Sequence, residues 1–186
     1  MGCHHGFSLD DSVRRSWYDP EFILQNASLK SGMTFVDVGC GDGFFSLLAA
    51  KLVGPTGKVY AVDANTGSVE KLKQKAADQG LQNISAVAGT GEETVFCSGC
   101  ADVVFYSMVL HDFKDPSKVL LNARHMLKPT GLLLNLDWKK KQMAFGPPLH
   151  IRFSEEYASS LIKQAGLIIN ESKEVGEHHY LITAKV

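Results

Sequence analysis

The stretch Asp37-Val38-Gly39-Cys40-Gly41-Asp42-Gly43 puts three glycines and two carboxylates into one short segment. Glycines let a backbone turn tightly and approach a ligand closely. Another carboxylate, Asp63, follows Gly43 by twenty residues. In nucleoside-binding βαβ units an acid at such a spacing takes the ribose hydroxyls. The third glycine comes one residue too early for the G-x-G-x-x-G dinucleotide fingerprint, and Phe44 fills the expected place. Asp37 discriminates further. A carboxylate deep in the loop repels a pyrophosphate and suits a cationic ligand. Cys40 reads as a small loop residue, not a nucleophile.

A second group of residues has acid–base chemistry. His111-Asp112 offers a general base or a polar pocket wall, since an imidazole titrates near pH 6.5. Asp137-Trp138 offers a carboxylate that orients an acceptor or pairs with Lys139, and an indole that walls a pocket or covers the core. His150 lies in the aperiodic stretch 139–153, beside Lys139, Lys140, Lys141 and Arg152. That local positive charge attracts an anionic acceptor or is simply a solvated run. His178 and His179, together with Cys3, His4, His5, His111 and His150, suggest one further hypothesis: a metal or metalloid site of imidazoles and thiolates. The spacing follows no standard metal motif, so no metal requirement is expected. Cys97-Ser98-Gly99-Cys100 is a lone C-x-x-C without a second pair at zinc spacing, and reads as two ordinary residues of a turn.

These residues need a scaffold, and the pattern of apolar runs supplies it. Strands are predicted over 33–38, 58–63, 84–88, 102–107, 132–137, 167–175 and 180–186. Helices are predicted over 20–29, 44–52, 68–79, 116–127 and 154–165, with a turn at Pro129-Thr130-Gly131. Such alternation implies a mostly parallel sheet with helices on both faces. The link between the last two strands is too short for a parallel crossover, so that pair is antiparallel. The glycine segment then joins a strand to a helix N-terminus, where unpaired N–H groups await a ligand. At 186 residues the chain fits one domain, with residues 1–30 as a cap segment and 31–186 as the core. Net charge is −1, which gives no global attraction for nucleic acid. The sequence has no membrane-length apolar run and no secretory leader pattern, so a reduced, cytoplasmic setting is the default.

Over about residues 20–186 the chain resembles the class I S-adenosylmethionine-dependent methyltransferases. Residues 37–43 look like that family's first motif, and Val59-Tyr60-Ala61-Val62-Asp63 like its second-strand motif. The resemblance implies a seven-stranded Rossmann-like sheet of order 3-2-1-4-5-7-6. It implies cofactor contacts at Asp37, Gly39, Cys40, Gly41, Gly43, Asp63, Ala64, Gly91, Glu92 and Ser107. Where many members carry an acid near position 89, this chain has Gly89-Thr90-Gly91. Catalytic candidates are His111, Asp137 and His150. The expected function is methyl transfer from S-adenosylmethionine to a small-molecule acceptor, with RNA or protein acceptors and the oligomeric state left open. The alternatives are a nicotinamide-dependent oxidoreductase and a non-catalytic cofactor-binding module.

Overall fold

The computed structural model describes residues 11–186; Cys3, His4 and His5 lie outside them. Two short helices, α1 (Asp11–Trp17) and α2 (Pro20–Gln25), precede an alternating body. The body runs β1 (Thr34–Val38), α3 (Phe44–Val53), β2 (Lys58–Asp63), α4 (Thr66–Asp78), β3 (Ile84–Ala88) and β4 (Ala101–Ser107). It continues through a 3-10 turn (Leu110–Asp112), α5 (Pro116–Met126), β5 (Leu127–Trp138), α6 (Glu155–Gln164), β6 (Ile168–Val175) and β7 (His179–Lys185). Helix starts follow the sequence chemistry. The Asp19, Asn65, Asp115 and Ser154 side chains each accept N–H groups of the first turn of α2, α4, α5 and α6.

One sheet holds all seven strands in the order β3-β2-β1-β4-β5-β7-β6. β7 runs antiparallel to both neighbours and the other pairings are parallel. Side chains alternate between two cores. Phe35, Val59, Val103, Phe105, Leu134 and Leu181 meet α2 and α3 on one face. Val36, Val104, Tyr106, Leu133 and Ile182 meet α5 and α6 on the other. Central strands buried on both faces need apolar residues at nearly every position, and β1 and β4 have them. Burying each such side chain contributes about 1.5–3 kcal/mol.

Three details differ from the sequence expectation. The segment before β1 carries two helices, α1 and α2, and α2 stops at Gln25 short of residue 29, where Ser28 at φ +50° turns the chain out of a helical path. The turn expected at Pro129-Thr130-Gly131 is part of β5. The chain joins the sheet already at Leu127 beside Ala101, and the register then slips, so that Leu132 pairs with Val103. Gly131 permits the slip, since a Cβ there would stand 2.8 Å from the Ala101 carbonyl oxygen. Cys97 and Cys100, expected as ordinary turn residues, are joined as a disulfide. Gly99, at φ +59°, folds the loop so that their Cα atoms lie 5.9 Å apart, within the normal span. Among the described residues no helix is long and apolar enough to cross a membrane.

Candidate active site

Strand order reverses beside β1, whose neighbours are β2 and β4. In open α/β sheets ligands settle at the carboxyl ends of the strands at such a point. Here a cavity of about 620 Å³ opens, within the range of small-molecule sites. Its floor is Asp37, Gly39, Cys40 and Gly41 from the loop after β1, and Ser107, Met108 and Val109 from the end of β4. Its far side holds His111, Asp112 and Trp138, and its roof holds Arg14, Trp17, Phe145, Pro147 and Pro148.

The glycine loop has the conformation its residues require. Gly39, Gly41 and Gly43 lie at φ +79°, +53° and +94°, where side chains are strained. Gly39 also lacks room: a Cβ would sit 2.6 Å from Val109 Cγ2. The Asp63 carboxylate accepts the Gly41 amide at 2.8 Å and the Asn65 amide at 2.8 Å, which ties the loop to the end of β2. Ala64 is exposed beside it. Asp37 is buried. Its Oδ2 accepts the Ser46 hydroxyl at 2.6 Å, and its Oδ1 has no partner. Burial, with Asp63 adding repulsion, pushes the Asp37 carboxyl up to about 7 against the help of Ser46. Cys40 is buried, and burial with the nearby carboxylates pushes its thiol pKa far up, which favours the thiol over the thiolate.

The raised Asp37 group gives a testable consequence. The folded protein holds this proton between about pH 4 and 7, where the unfolded chain has lost it, so stability falls as pH rises through that window. Asp37→Asn is therefore expected to raise Tm at pH 8, with the gain vanishing toward pH 4. Thermal unfolding of both proteins across pH checks it, and equal Tm values at pH 8 would contradict it.

His111 and Asp137 come together from separate elements. His111 sits in the 3-10 turn after β4 and Asp137 near the end of β5. The His111 Nδ1–H donates to Asp137 Oδ1 at 2.8 Å, and both side chains are buried. Asp137 Oδ1 also accepts the Trp138 amide, while its Oδ2 is buried without a partner. That arrangement leaves His111 Nε2 as the proton acceptor, 3.6 Å from Asp112 Oδ1. Burial works to lower the His111 pKa, but the charge and hydrogen bond of Asp137, with Asp112, outweigh it and hold the imidazole above its ordinary value. Asp137 thus pairs with His111 rather than with Lys139, whose ammonium meets Glu174 at 3.0 Å. Met108, at φ +57°, stands between the two halves of the cavity; a non-glycine residue held there costs about 1–3 kcal/mol. Nothing in its sequence context marked it.

Other candidates fall elsewhere. His150 is exposed and outside the cavity lining, because the loop turns it outward between Pro148 and Ile151. His178 and His179 reach the carboxyl edge, but His179 is buried among Trp17, Tyr18 and Trp138. Burial first, then the charges of His178, Lys139 and Arg152, push it down to about 3, so it stays neutral. Among the described residues no group of three His, Cys, Asp or Glu side chains is placed to hold a metal ion. His111, His150, His178 and His179 do not converge on one point: His111 pairs with Asp137, His150 is exposed, and His178 and His179 both pack against Trp17. Of the expected positive face, Lys140 and Lys141 are exposed, while Arg152 is withdrawn from it. Arg152 is buried and donates to the carbonyls of Pro147 (2.6 Å), Lys141 (3.0 Å) and Phe145 (2.9 Å). It closes the 139–151 loop over the cavity and faces no solvent. Gly91 packs against Val38 and Phe113, and Glu92 accepts the amides of Lys114 and Asp115. Both lie outside the cavity lining.

The sheet order, the closing antiparallel strand and the glycine loop together define the Rossmann-like fold of methyltransferases. A family model described as a methyltransferase domain matches residues 29–177, and the chain belongs to that family. The crystal structure of an S-adenosylmethionine-dependent methyltransferase from Aquifex aeolicus superposes with a TM-score of 0.85 at 30% identity, covering 95% of this chain and 98% of that one. A ubiquinone/menaquinone biosynthesis C-methyltransferase of Haemophilus ducreyi is 27% identical over 166 residues, which are 89% of this chain and 62% of that protein. A nocamycin O-methyltransferase of Saccharothrix syringae is 35% identical over 109 residues, 59% of this chain and 39% of that one. The chain thus spans under two thirds of the length of these curated relatives.

Proposed function

We propose that the protein transfers a methyl group from S-adenosylmethionine to a small, largely apolar acceptor that loses a proton on the way. The observation that carries this reading is the single cavity with the glycine loop at one end and the His111–Asp137 pair at the other. The residues present fit the cofactor. Asp37 offers an unsatisfied carboxylate oxygen to a cationic ligand, and a loop of left-handed glycines leaves its backbone open to close approach. Asp63 would take the ribose hydroxyls, with Ala64, Gly91 and Glu92 toward the base. Gly39, Cys40, Gly41, Gly43 and Ser107 would line the amino-acid and sulfonium side. The bound cofactor supplies an electrophilic methyl group on a sulfonium.

The chain's own groups do the rest. Trp17, Trp138, Phe145, Pro147 and Pro148 form an apolar wall against which an acceptor lies. The Trp17 and Phe145 rings stack 5.2 Å apart and extend that wall. His111 Nε2 takes the proton that the acceptor's hydroxyl or acidic carbon releases, and Asp137 holds the ring and its positive charge. The relatives named for ubiquinone/menaquinone biosynthesis and for nocamycin favour a small-molecule acceptor over RNA or protein.

Calorimetric titration of the purified protein with S-adenosylmethionine and with NADH tests the reading. Binding of the first and not the second is expected. No heat from S-adenosylmethionine at millimolar concentration would refute it. A screen of phenolic and enolic acceptors, read by S-adenosylhomocysteine release, then identifies the acceptor.

A further inference from the structure

The segment 140–150 joins β5 to α6 and carries no helix or strand. It supplies Phe145, Gly146, Pro147 and Pro148 to the cavity lining. Little within the segment holds it there. Among the described residues, its backbone amides bond locally, Lys141 to the Lys139 carbonyl and Ile151 to the Pro148 carbonyl. Its ion pair is the exposed Lys141–Glu177 contact at 3.9 Å. The Phe145 ring stacks on Trp17 and meets His178 edge-on. The other ties converge on one buried group, Arg152, just ahead of α6. Its Nε, Nη1 and Nη2 donate to the Pro147, Lys141 and Phe145 carbonyls. The guanidinium carbon lies 5.6 Å from the centre of the Trp138 ring. Gly146 closes the gap between them: at φ +85°, a Cβ there would stand 3.1 Å from Trp138 Cζ3 and 3.2 Å from Arg152 Nη2.

A buried cation that loses its acceptors costs far more than the bonds themselves contribute. Asp137 acts on Arg152 by charge without a hydrogen bond, so the segment's carbonyls are what satisfies its donors. That keeps the carbonyls on the guanidinium and the segment over the cavity. A planar fork suits carbonyls arriving from several directions, and an ammonium does not reproduce it. Arg152 itself does not line the cavity. We infer that Arg152 is a positioning residue for acceptor recognition: it fixes Phe145 and Pro147 through their carbonyls and so sets the shape of the wall that selects the acceptor. The inference rests on the acceptor placement proposed above and deepens it. It follows that acceptor selectivity depends on a buried charge that never touches the acceptor.

The test uses the full chain. Arg152→Met keeps an apolar stem and removes the donors, and Gly146→Ala keeps Arg152 but crowds it. Trypsin reads the segment without any acceptor. Cleavage after the exposed Lys140 and Lys141 is expected to run about 10–100-fold faster in Arg152→Met, the range for losing charged hydrogen bonds that hold a segment closed. With the phenol or enol that the unaltered protein methylates fastest, KM is expected to rise by about the same factor while kcat falls less. The Kd of S-adenosylhomocysteine should stay within about twofold, the scatter of non-contacting changes. Gly146→Ala should raise KM in the same direction, and it decides by the same readings if Arg152→Met does not fold. Weakening of S-adenosylhomocysteine as large as the rise in KM would mean that Arg152 only supports the fold, and overturns the inference. Trypsin cleavage and KM at their unaltered values would overturn it too. A fall in kcat with KM unchanged would assign Arg152 to proton transfer at His111, and overturn it as well. If the unaltered protein methylates no phenol or enol, the acceptor reading itself fails and the inference with it, even where trypsin finds the segment released.

Discussion

Methyl transfer by His111→Gln is expected to run about 10²–10⁴-fold slower than by the unaltered protein, the usual contribution of a positioned general base. Cofactor affinity should change little, because glutamine retains a polar side chain of similar reach and Asp37 and Asp63 are untouched. The geometry sets the direction. Asp137 holds Nδ1–H, which leaves Nε2, 3.6 Å from Asp112 Oδ1, as the nitrogen that can take a proton. Glutamine can accept a hydrogen bond there but cannot take a proton. The pH profile adds a second arm. The imidazole is held above 6.5 by Asp137 and Asp112 against the opposing effect of burial, so activity should rise with pH through an apparent pKa above that value. Asp137→Asn should move this pKa downward, because the burial that lowers it remains while the counter-charge is lost. Stability carries the opposite sign. The protonated pair stabilises the fold fully below the unfolded imidazole pKa, and that contribution is lost as pH rises through the folded one. A His111→Gln protein with unchanged kcat would remove proton transfer from the proposal and leave His111 as a pocket wall.

The second large effect is on the glycine loop. Gly43→Ala is expected to cost about 2–6 kcal/mol, from left-handed backbone strain and from overpacking. Gly43 lies at φ +94°, and an added Cβ would run into Cδ1 of the fully buried Leu72. Leu72 belongs to α4 and is packed with Cys40, Leu47 and Ala61, so it has nowhere to retreat. Gly43 also opens α3: its amide donates to the Cys40 carbonyl, and its own carbonyl accepts the Leu47 amide. A shift there moves the loop and weakens cofactor binding with stability. Gly41→Ala is the informative comparison. Gly41 has φ +53° but nothing within 4 Å of its would-be Cβ, so only the backbone strain of about 1–2 kcal/mol applies. Denaturant unfolding of the two variants should show Gly43→Ala clearly the more damaged. Equal losses would mean that Leu72 gives way and packing does not set the loop.

The residues 37–43 and Asp63 announced a nucleoside loop because glycine spacing and a carboxylate at a strand end are local properties. The seven strands, the helices from α2 onward and even the antiparallel last pair were equally legible. Period, capping residues and the length of the 176–178 link lie in contiguous sequence. The misreadings also have local reasons. Pro129-Thr130-Gly131 has turn composition, yet Ala101 lies alongside and draws it into β5. Cys97 and Cys100 looked like plain turn residues until Gly99 brought their Cα atoms to 5.9 Å.

The sequence by itself therefore determined the fold and the glycine loop that floors the cavity, since both rest on short-range pattern. Only the tertiary structure decided which ionisable side chains share a site. It joined His111 to Asp137 across 26 positions, turned His150 outward, closed Arg152 onto carbonyls, and set Arg14 over the loop that begins at Asp37. Those pairings depend on where β4, β5 and α1 end in space, and hydrogen-bond reach is a distance that sequence spacing does not encode.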